Sequence, residues 1–410
     1  MNLRARLCAG DRDAQFRFAE ACEHGWGVPR SATAARRWYR AAARQGDAEA
    51  AFRLGLLLLR AGRQRADAVA VIWLRQAADA NHGDAQAALG TCYRSGRGVA
   101  VDYRESLHWT ARAAGNGSAS GRYNLALCYR AGCGVGRDMA RAVDLLTLAA
   151  TQGYARAQLM LGHVYANGDG VAEDRGAARS WYAAGARQGY VKARYNLALL
   201  LLADGDPQSD RRALDELHAA AAAGYAKAMY LLATNYRRGI GVGVDHERAR
   251  TYLHKAAAAG LAKAQYRLAR QADRTSIAGE RDYWHWIRRA AAGGHVQAQY
   301  LLGKLILSVP AAQRDVAWRW LTRAAEGGEK RAAYLLAACF ERGLGVAPDR
   351  ASAYRWMLVA RAAGYPRAIR ESQRLQRLLS PRTVAAINLE VLAAGTAQAE
   401  KRARRRLRIE

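Results

Sequence analysis

A chain of 410 residues would ordinarily divide into about two or three globular domains, but hydrophobic residues at 51%, with only six prolines and four phenylalanines, favour helix around an extended core. The formal net charge of +29 invites a nucleic-acid reading, yet seven of the 64 basic residues are lysine and the rest arginine, spread along the whole chain. No apolar run reaches the roughly 18 residues that a membrane helix needs, so membrane insertion is not expected.

The first residues, Met1 to Cys8, lack the apolar centre of a signal peptide, and Arg6-Leu7 before Cys8 argues against a lipid anchor. A cytoplasmic protein is the expectation. From there Gly10, Gly46, Gly117, Gly153, Gly189, Gly224, Gly260, Gly294, Gly328 and Gly364 recur every 34 to 36 residues once Asn81 fills the single gap. Asn is the residue that best replaces Gly in left-handed backbone, so this position predicts a helix end with positive φ. Such a period of about 35 residues is the signature of a repeat array.

Each repeat predicts two helices, A and B, with a loop between them. Helix A centres on Leu-Gly or Leu-Ala, as in Leu54-Gly55, Leu89-Gly90, Leu161-Gly162 and Leu302-Gly303. A small residue stands four positions before that Leu, and an aromatic such as Tyr93, Tyr129 or Tyr236 four positions after it. These spacings draw one apolar stripe along a helix. A second aromatic, two positions before the Leu (Phe52, Tyr123, Tyr230, Tyr266, Tyr300), is expected to fill volume between turns.

The A-to-B loop reads Gly-x-Gly-Val-x-x-Asp at Gly96–Asp102, Gly132–Asp138, Gly168–Asp174, Gly239–Asp245 and Gly343–Asp349, with Ser31 replacing Asp in the first repeat. Its first Gly should end helix A, and the Asp or Ser should cap helix B. The second, sixth, eighth and ninth repeats lack this loop, and the ninth substitutes Ser308-Val309-Pro310. Helix B carries a bulky residue eight positions before the recurring Gly. Seven of the ten tryptophans share this register: Trp38, Trp73, Trp109, Trp181, Trp286, Trp320 and Trp356. They are expected to be buried between helices.

These three elements, recurring together over about residues 10–370, closely resemble the Sel-1-like repeat family, a relative of the tetratricopeptide repeats. The resemblance implies an all-α, right-handed α-solenoid of about ten helix-turn-helix repeats, acting as a protein-interaction scaffold whose helices A line the concave face. Residues 1–366 are expected to form the solenoid, and 367–410 the C-terminal capping helices and a basic tail. Ser380-Pro381 should start a capping helix with Val384, Ile387 and Val391 on one face. The densest basic run, Lys401 to Arg408, lies in the tail.

Chemistry-bearing motifs are not evident. Gly132-Cys133-Gly134-Val135-Gly136 lacks the Lys and Ser or Thr of a phosphate loop, no Cys-x-x-Cys or His-Glu-x-x-His occurs, and the nine histidines are scattered. Cys92, Cys128 and Cys339 share one helix A register and should be buried core residues, while Cys133 falls in a loop. No catalytic, cofactor or metal site is expected.

Positions one before, two after and six after the helix A Leu share a face away from the packing stripe. The candidate partner-binding residues there are Arg17, Arg53, Arg60, Asn124, His163, Asn196, Arg238, Arg267, Arg270, Arg274 and Lys304. Arg267, Arg270 and Arg274 are expected on one helix face. The varied residues suit a groove for a protein or peptide partner, with an acidic one favoured by the basic ends. The alternative is a basic helical-repeat protein that grips RNA or DNA. Against base-by-base reading, no polar pair recurs at equivalent positions.

Overall fold

The computed structural model describes residues 6–7, 9–308 and 316–407, with side chains to residue 394. Cys8, Val309, Pro310 and the side chains of the Lys401–Arg408 run therefore lie outside the described residues. Within them the chain is all helix and turn, an α-solenoid of 22 helices. Its contacts gather into two compact units, Met1–Leu197 and Ala198–Glu410.

The first unit contains α1 (Arg12–His24), α2 (Ala32–Arg44), α3 (Ala48–Arg60), α4 (Gln64–Asp79), α5 (Gly83–Ser95), α6 (Tyr103–Gly115), α7 (Ala119–Ala131), α8 (Met139–Thr151), α9 (Ala155–Asn167) and α10 (Arg175–Arg187). The unit boundary falls inside α11 (Val191–Leu202). The second unit continues with α12 (Pro207–Ala222), α13 (Ala226–Arg238), α14 (His246–Ala258), α15 (Ala262–Gln271), α16 (Ile277–Ala292), α17 (Val296–Leu307), α18 (Ala317–Glu326), α19 (Lys330–Arg342) and α20 (Arg350–Ala362). It closes with α21 (Arg367–Gln376) and α22 (Pro381–Leu407). Up to α20 the odd helices are A and the even ones B.

The turns form where the glycines require them. The recurring position is left-handed throughout, from Gly10 at φ 76° to Gly364 at φ 76°, and Asn81 at φ 60° is the one non-glycine residue with positive φ among the described residues. In the A-to-B loop Gly96, Gly132, Gly168, Gly239 and Gly343 end helix A in the same conformation. The side chains of Asp102, Asp138, Asp174, Asp245 and Asp349, and that of Ser31, accept backbone N–H bonds at the start of helix B. These caps satisfy amides that the helix cannot.

Helix B turns out to be in a register one residue on from the tryptophans. Trp38, Trp73, Trp181, Trp286, Trp320 and Trp356 are only half-buried, while the residue after each is sealed: Tyr39 0%, Leu74 0%, Tyr182 3%, Ile287 0%, Leu321 0% and Met357 2% exposed. Trp109 is buried, but Thr110 beside it is deeper. The reason is the small residue that follows the helix A Leu. A Cβ added to Gly55, Gly90, Gly162 or Gly303 would stand 2.7, 2.6, 2.3 or 2.8 Å from Leu74, Thr110, Tyr182 or Leu321 respectively. The missing side chain on A is the socket for the following residue on B, and the Trp packs at its rim.

A buried amide joins successive repeats. Gln86, Gln158, Gln265 and Gln299 lie three residues before the helix A Leu and donate to the carbonyls of Ala78, Ala150, Ala257 and Ala291 at 3.0, 3.1, 2.9 and 3.2 Å. The end of the helix B that follows returns a bond: Asn116 to Gln86 at 2.9 Å, and Gln188 to Gln158 at 2.8 Å. The position equivalent to Gln188 in the eighth repeat is Gly293, and there the Oε1 of Gln265 is left without a partner.

At the C-terminal end Ser380 caps α22 through the Thr383 amide, and Ile387, Val384 and Val391 cover the cluster that includes Tyr354, Met357, Ala368 and Leu375. Tyr354 donates its hydroxyl to Asn388 at 3.2 Å. An apolar repeat face is thereby closed, as a repeat array needs.

Candidate partner-binding groove

The helices A of the second to fourth repeats, α3, α5 and α7, line a groove of about 890 Å³ in the first unit. Its apolar part is Phe52, Leu56, Tyr123, Leu127 and Tyr154, all half-buried. The aromatics two before the Leu therefore face the groove rather than filling volume between turns. Two residues of helix turn through roughly 200°, which sets them across from the packing stripe. They pack against the residue that follows the recurring Gly or Asn: Phe52 tilted on His82 at 4.7 Å, Tyr123 tilted on Tyr154 at 5.3 Å, and in the second unit Tyr266 stacked on His295 at 4.2 Å.

The polar part of the groove is Arg60, Arg94, Arg97, Arg156, Asp84, Thr91, Ser95 and Asn124. Arg97 is held by Asp67 at 3.0 Å and Arg60 by Glu23 at 3.1 Å. Asp84 accepts from the hydroxyls of Ser118 and Ser120 at 2.7 and 2.8 Å. Among the described residues Arg94 and Arg156 are the groove's cations without a carboxylate partner.

Two of the candidates expected from the helix A register, Arg60 and Asn124, come together in this groove. Asn124 spends its amide on the Ala87 carbonyl and Thr91 hydroxyl, both at 3.1 Å, tying α7 to α5. Arg53 pairs with Glu49 at 2.6 Å, and Glu49 also meets Nε2 of His82 at 2.6 Å. The His82 hydrogen bond, then Arg53, hold the Glu49 carboxyl down to about 2 against partial burial. His163 points Nδ1 at the Tyr182 hydroxyl, 3.0 Å away, and burial, with Arg130 nearby, pushes its pKa down to about 4. Asn196 bonds back to the Lys192 carbonyl at 2.9 Å. Arg17, Arg238, Arg270 and Lys304 are exposed on α1, α13, α15 and α17. Arg267 reaches the Tyr230 hydroxyl at 3.4 Å.

Arg274 does not share a helix face with Arg267 and Arg270. Helix α15 stops at Gln271, and Asp273 organises a turn by accepting from the Thr275 amide and hydroxyl at 3.0 and 2.6 Å. Arg274 lies in that turn, over the Tyr283 ring at 4.6 Å.

Cys22, Cys92, Cys128 and Cys339 are buried free thiols, and burial pushes Cys92 and Cys339 up to about 11. Cys133 is half-exposed. Among the described residues no group of three or more His, Cys, Asp or Glu side chains could hold a metal ion, and no helix is long and apolar enough to cross a membrane.

Stacked two-helix units with a groove along their A helices define a helical-repeat protein. The Sel1 repeat profile matches nine times, at residues 12–47, 48–82, 83–118, 119–154, 155–190, 191–225, 226–261, 296–329 and 330–365. The chain belongs to the Sel1 repeat family. The unmatched stretch, 262–295, is the helix pair α15 and α16, so the structure has ten units of this kind. The chain is similar to a Sel1 repeat protein from Oxalobacter formigenes at 30% identity, over 84% of this chain and 90% of that one, with a TM-score of 0.44. It is also similar to c5321, described as a protective antigen of uropathogenic Escherichia coli strains, at 27% identity over 98% and 96% of the two chains, with a TM-score of 0.42. No curated protein matches. Sel1 repeats generally mediate protein–protein interactions.

Proposed function

We propose that this protein is a non-enzymatic, cytoplasmic scaffold that holds a partner through a peptide segment laid along the helix A groove of its first unit. The supporting observation is the groove's mixed lining: half-buried Phe52, Leu56, Tyr123 and Leu127 beside the guanidinium groups of Arg94 and Arg156, which among the described residues have no carboxylate partner. Such a lining suits apolar anchors with acidic neighbours. Much of the positive charge is otherwise used in packing. Arg37, Arg112, Arg289 and Arg323 lie over the Trp38, Trp109, Trp286 and Trp320 rings at 5.7, 5.0, 5.6 and 5.0 Å. Arginines used this way are not arranged as a phosphate track, which favours the scaffold reading over the nucleic-acid one.

The test is affinity capture with the full chain and with a Leu127→Asp, Arg94→Glu variant. A protein retained by the first, lost by the second and reduced to one short binding segment is the expected result. Salt-tolerant, sequence-selective RNA or DNA binding that survives the variant would replace this reading with the nucleic-acid one.

A further inference from the structure

The second glycine of the A-to-B loop has a role beyond the turn. A Cβ added to Gly98 would stand 2.3 Å from the Asp67 carbonyl oxygen, one on Gly134 2.3 Å from that of Tyr103, and one on Gly241 2.8 Å from that of Asp210. Gly170 approaches the Met139 side chain in the same way, at 2.7 Å. Asp67, Tyr103, Met139 and Asp210 are equivalent, each 14 residues before the closing Asn81, Gly117, Gly153 or Gly224. These four loops therefore lie flat on the first turn of the preceding repeat's helix B.

In the second and eighth repeats, which lack the loop, that first turn lines a cavity. The second repeat has no such loop. A cavity of about 300 Å³ there includes Ala32, the equivalent position of the first repeat. Its arginines are engaged locally: Glu23 pairs with Arg60 at 3.1 Å and accepts from the Tyr39 hydroxyl at 2.9 Å, while Arg30 and Arg36 donate to the backbone carbonyls of Glu23 and Ala32 at 3.1 and 3.2 Å. The eighth repeat also lacks the loop, and its helix A, α15, has 10 residues where α13 has 13. The cavity there is larger, about 520 Å³, and lies over His246, the equivalent position of the seventh repeat. Its floor is apolar, with Leu253, Leu268 and Trp286. Arg237, Arg250 and Arg267 stand around it against the single acid Asp282. Among the described residues none of these three arginines is paired with a carboxylate.

We infer that this cavity is a binding subsite for an acidic peptide segment, with an apolar side chain on the Leu253, Leu268 and Trp286 floor and flanking carboxylates on Arg237, Arg250 and Arg267. Guanidinium groups over an apolar floor pair with carboxylates more strongly than in open water, and the uncompensated charge selects an acidic occupant. The subsite rests on the reading of the protein as a peptide-binding scaffold, but it is separate from the groove of the first unit.

The test uses the full chain and acetyl-Glu-Phe-Glu-amide, with acetyl-Gln-Phe-Gln-amide and inorganic phosphate as comparisons. Binding is read by NMR at the Trp286 indole and His246 imidazole, assigned with Trp286→Phe and His246→Gln. Two variants decide the site. In one, Arg237→Glu is combined with Arg250→Glu. In the other, residues 275–279 are exchanged for the seven-residue stretch 239–245, which restores the missing loop; unchanged helical circular dichroism shows that it folds. The acidic peptide is expected to shift both resonances, the glutamine peptide to bind at least about tenfold more weakly, and both variants to lose about tenfold or more in affinity. Equal binding of the two peptides, binding that survives the loop graft, or phosphate shifts as large as the peptide's would each overturn the assignment. Failure of the full chain to capture a partner through the first-unit groove, with peptide binding retained here, would count against the scaffold proposal instead.

Discussion

A Cβ placed on Gly162 would stand 2.3 Å from the Tyr182 ring, and the hydroxyl of that ring lies 3.0 Å from Nδ1 of His163, the next residue. One side chain of α10 thus fills the socket left by a glycine of α9 and is held there by that glycine's neighbour.

Tyr182, rather than Trp181, should be the costly residue of this pair. Tyr182→Ala is expected to destabilise by about 3–5 kcal/mol, with Trp181→Ala costing clearly less, because it starts half-exposed. Gly162→Leu should cost about 1–3 kcal/mol or more by overpacking. Hydrogen exchange should place the loosening in α9, α10 and their neighbours, since each repeat contacts only the next. Equal costs for Trp181→Ala and Tyr182→Ala would contradict the register.

His163 should make the fold sensitive to mild acid. Its pKa falls from 6.5 to about 4 on folding, so between these values the unfolded chain holds more protons than the native one. Stability is therefore full above about 6.5 and declines as pH falls toward 4. His163→Phe should flatten the pH dependence of exchange in α9 and α10 over that interval. An unchanged slope would assign it to another group.

Glu49 acts in a lower window. Its carboxyl moves from 4.5 to about 2 on folding, so the stabilisation is present above 4.5 and is lost as pH falls toward 2. Glu49→Gln should remove that part of the acid transition in urea titrations. The size should be modest, because Glu49 is more than a third exposed and solvent screens the pair.

The amide staple between repeats should be expensive to break. Gln158→Leu removes the donor to the Ala150 carbonyl and the acceptor for Gln188, so two hydrogen bonds are lost while that carbonyl keeps the Gly153 amide. The expected cost is about 1–3 kcal/mol. Gln265→Leu should cost less, since its Oε1 already lacks a partner. Parallel denaturant titrations of the two variants give the comparison.

Thiol reactivity should follow burial. Cys133 is expected to alkylate rapidly at neutral pH, while Cys92, Cys128 and Cys339 react only on unfolding. Mass spectrometry of a timed labelling course reads this directly; fast labelling of Cys128 in the folded protein would contradict its place in the core.

The repeat, its caps and its turns were legible because each rests on local backbone geometry. Positive φ at Gly46 or Asn81 and a side-chain cap at Asp138 need no distant partner, so residue type and spacing announce them. The same spacing held the socket glycines and the recurring buried Gln, but their partners sit on other helices and only packing revealed them. Tryptophan's bulk marked the wrong residue of helix B: a socket one glycine wide admits Leu74 or Tyr182, and leaves the indole at the rim. The groove residues were the least legible. Whether a polar side chain on helix A faces a partner or is used by its neighbours, as Arg53 is by Glu49 and Asn124 by α5, depends on contacts some 4 to 37 residues apart in the chain. The sequence determined the repeat and the helix ends that a glycine or a capping side chain marks, but not that α15 stops at Gln271 before Arg274. Only the tertiary structure decided which arginines remain unpaired, because pairing depends on which repeat kept its loop and which neighbour supplied a carboxylate.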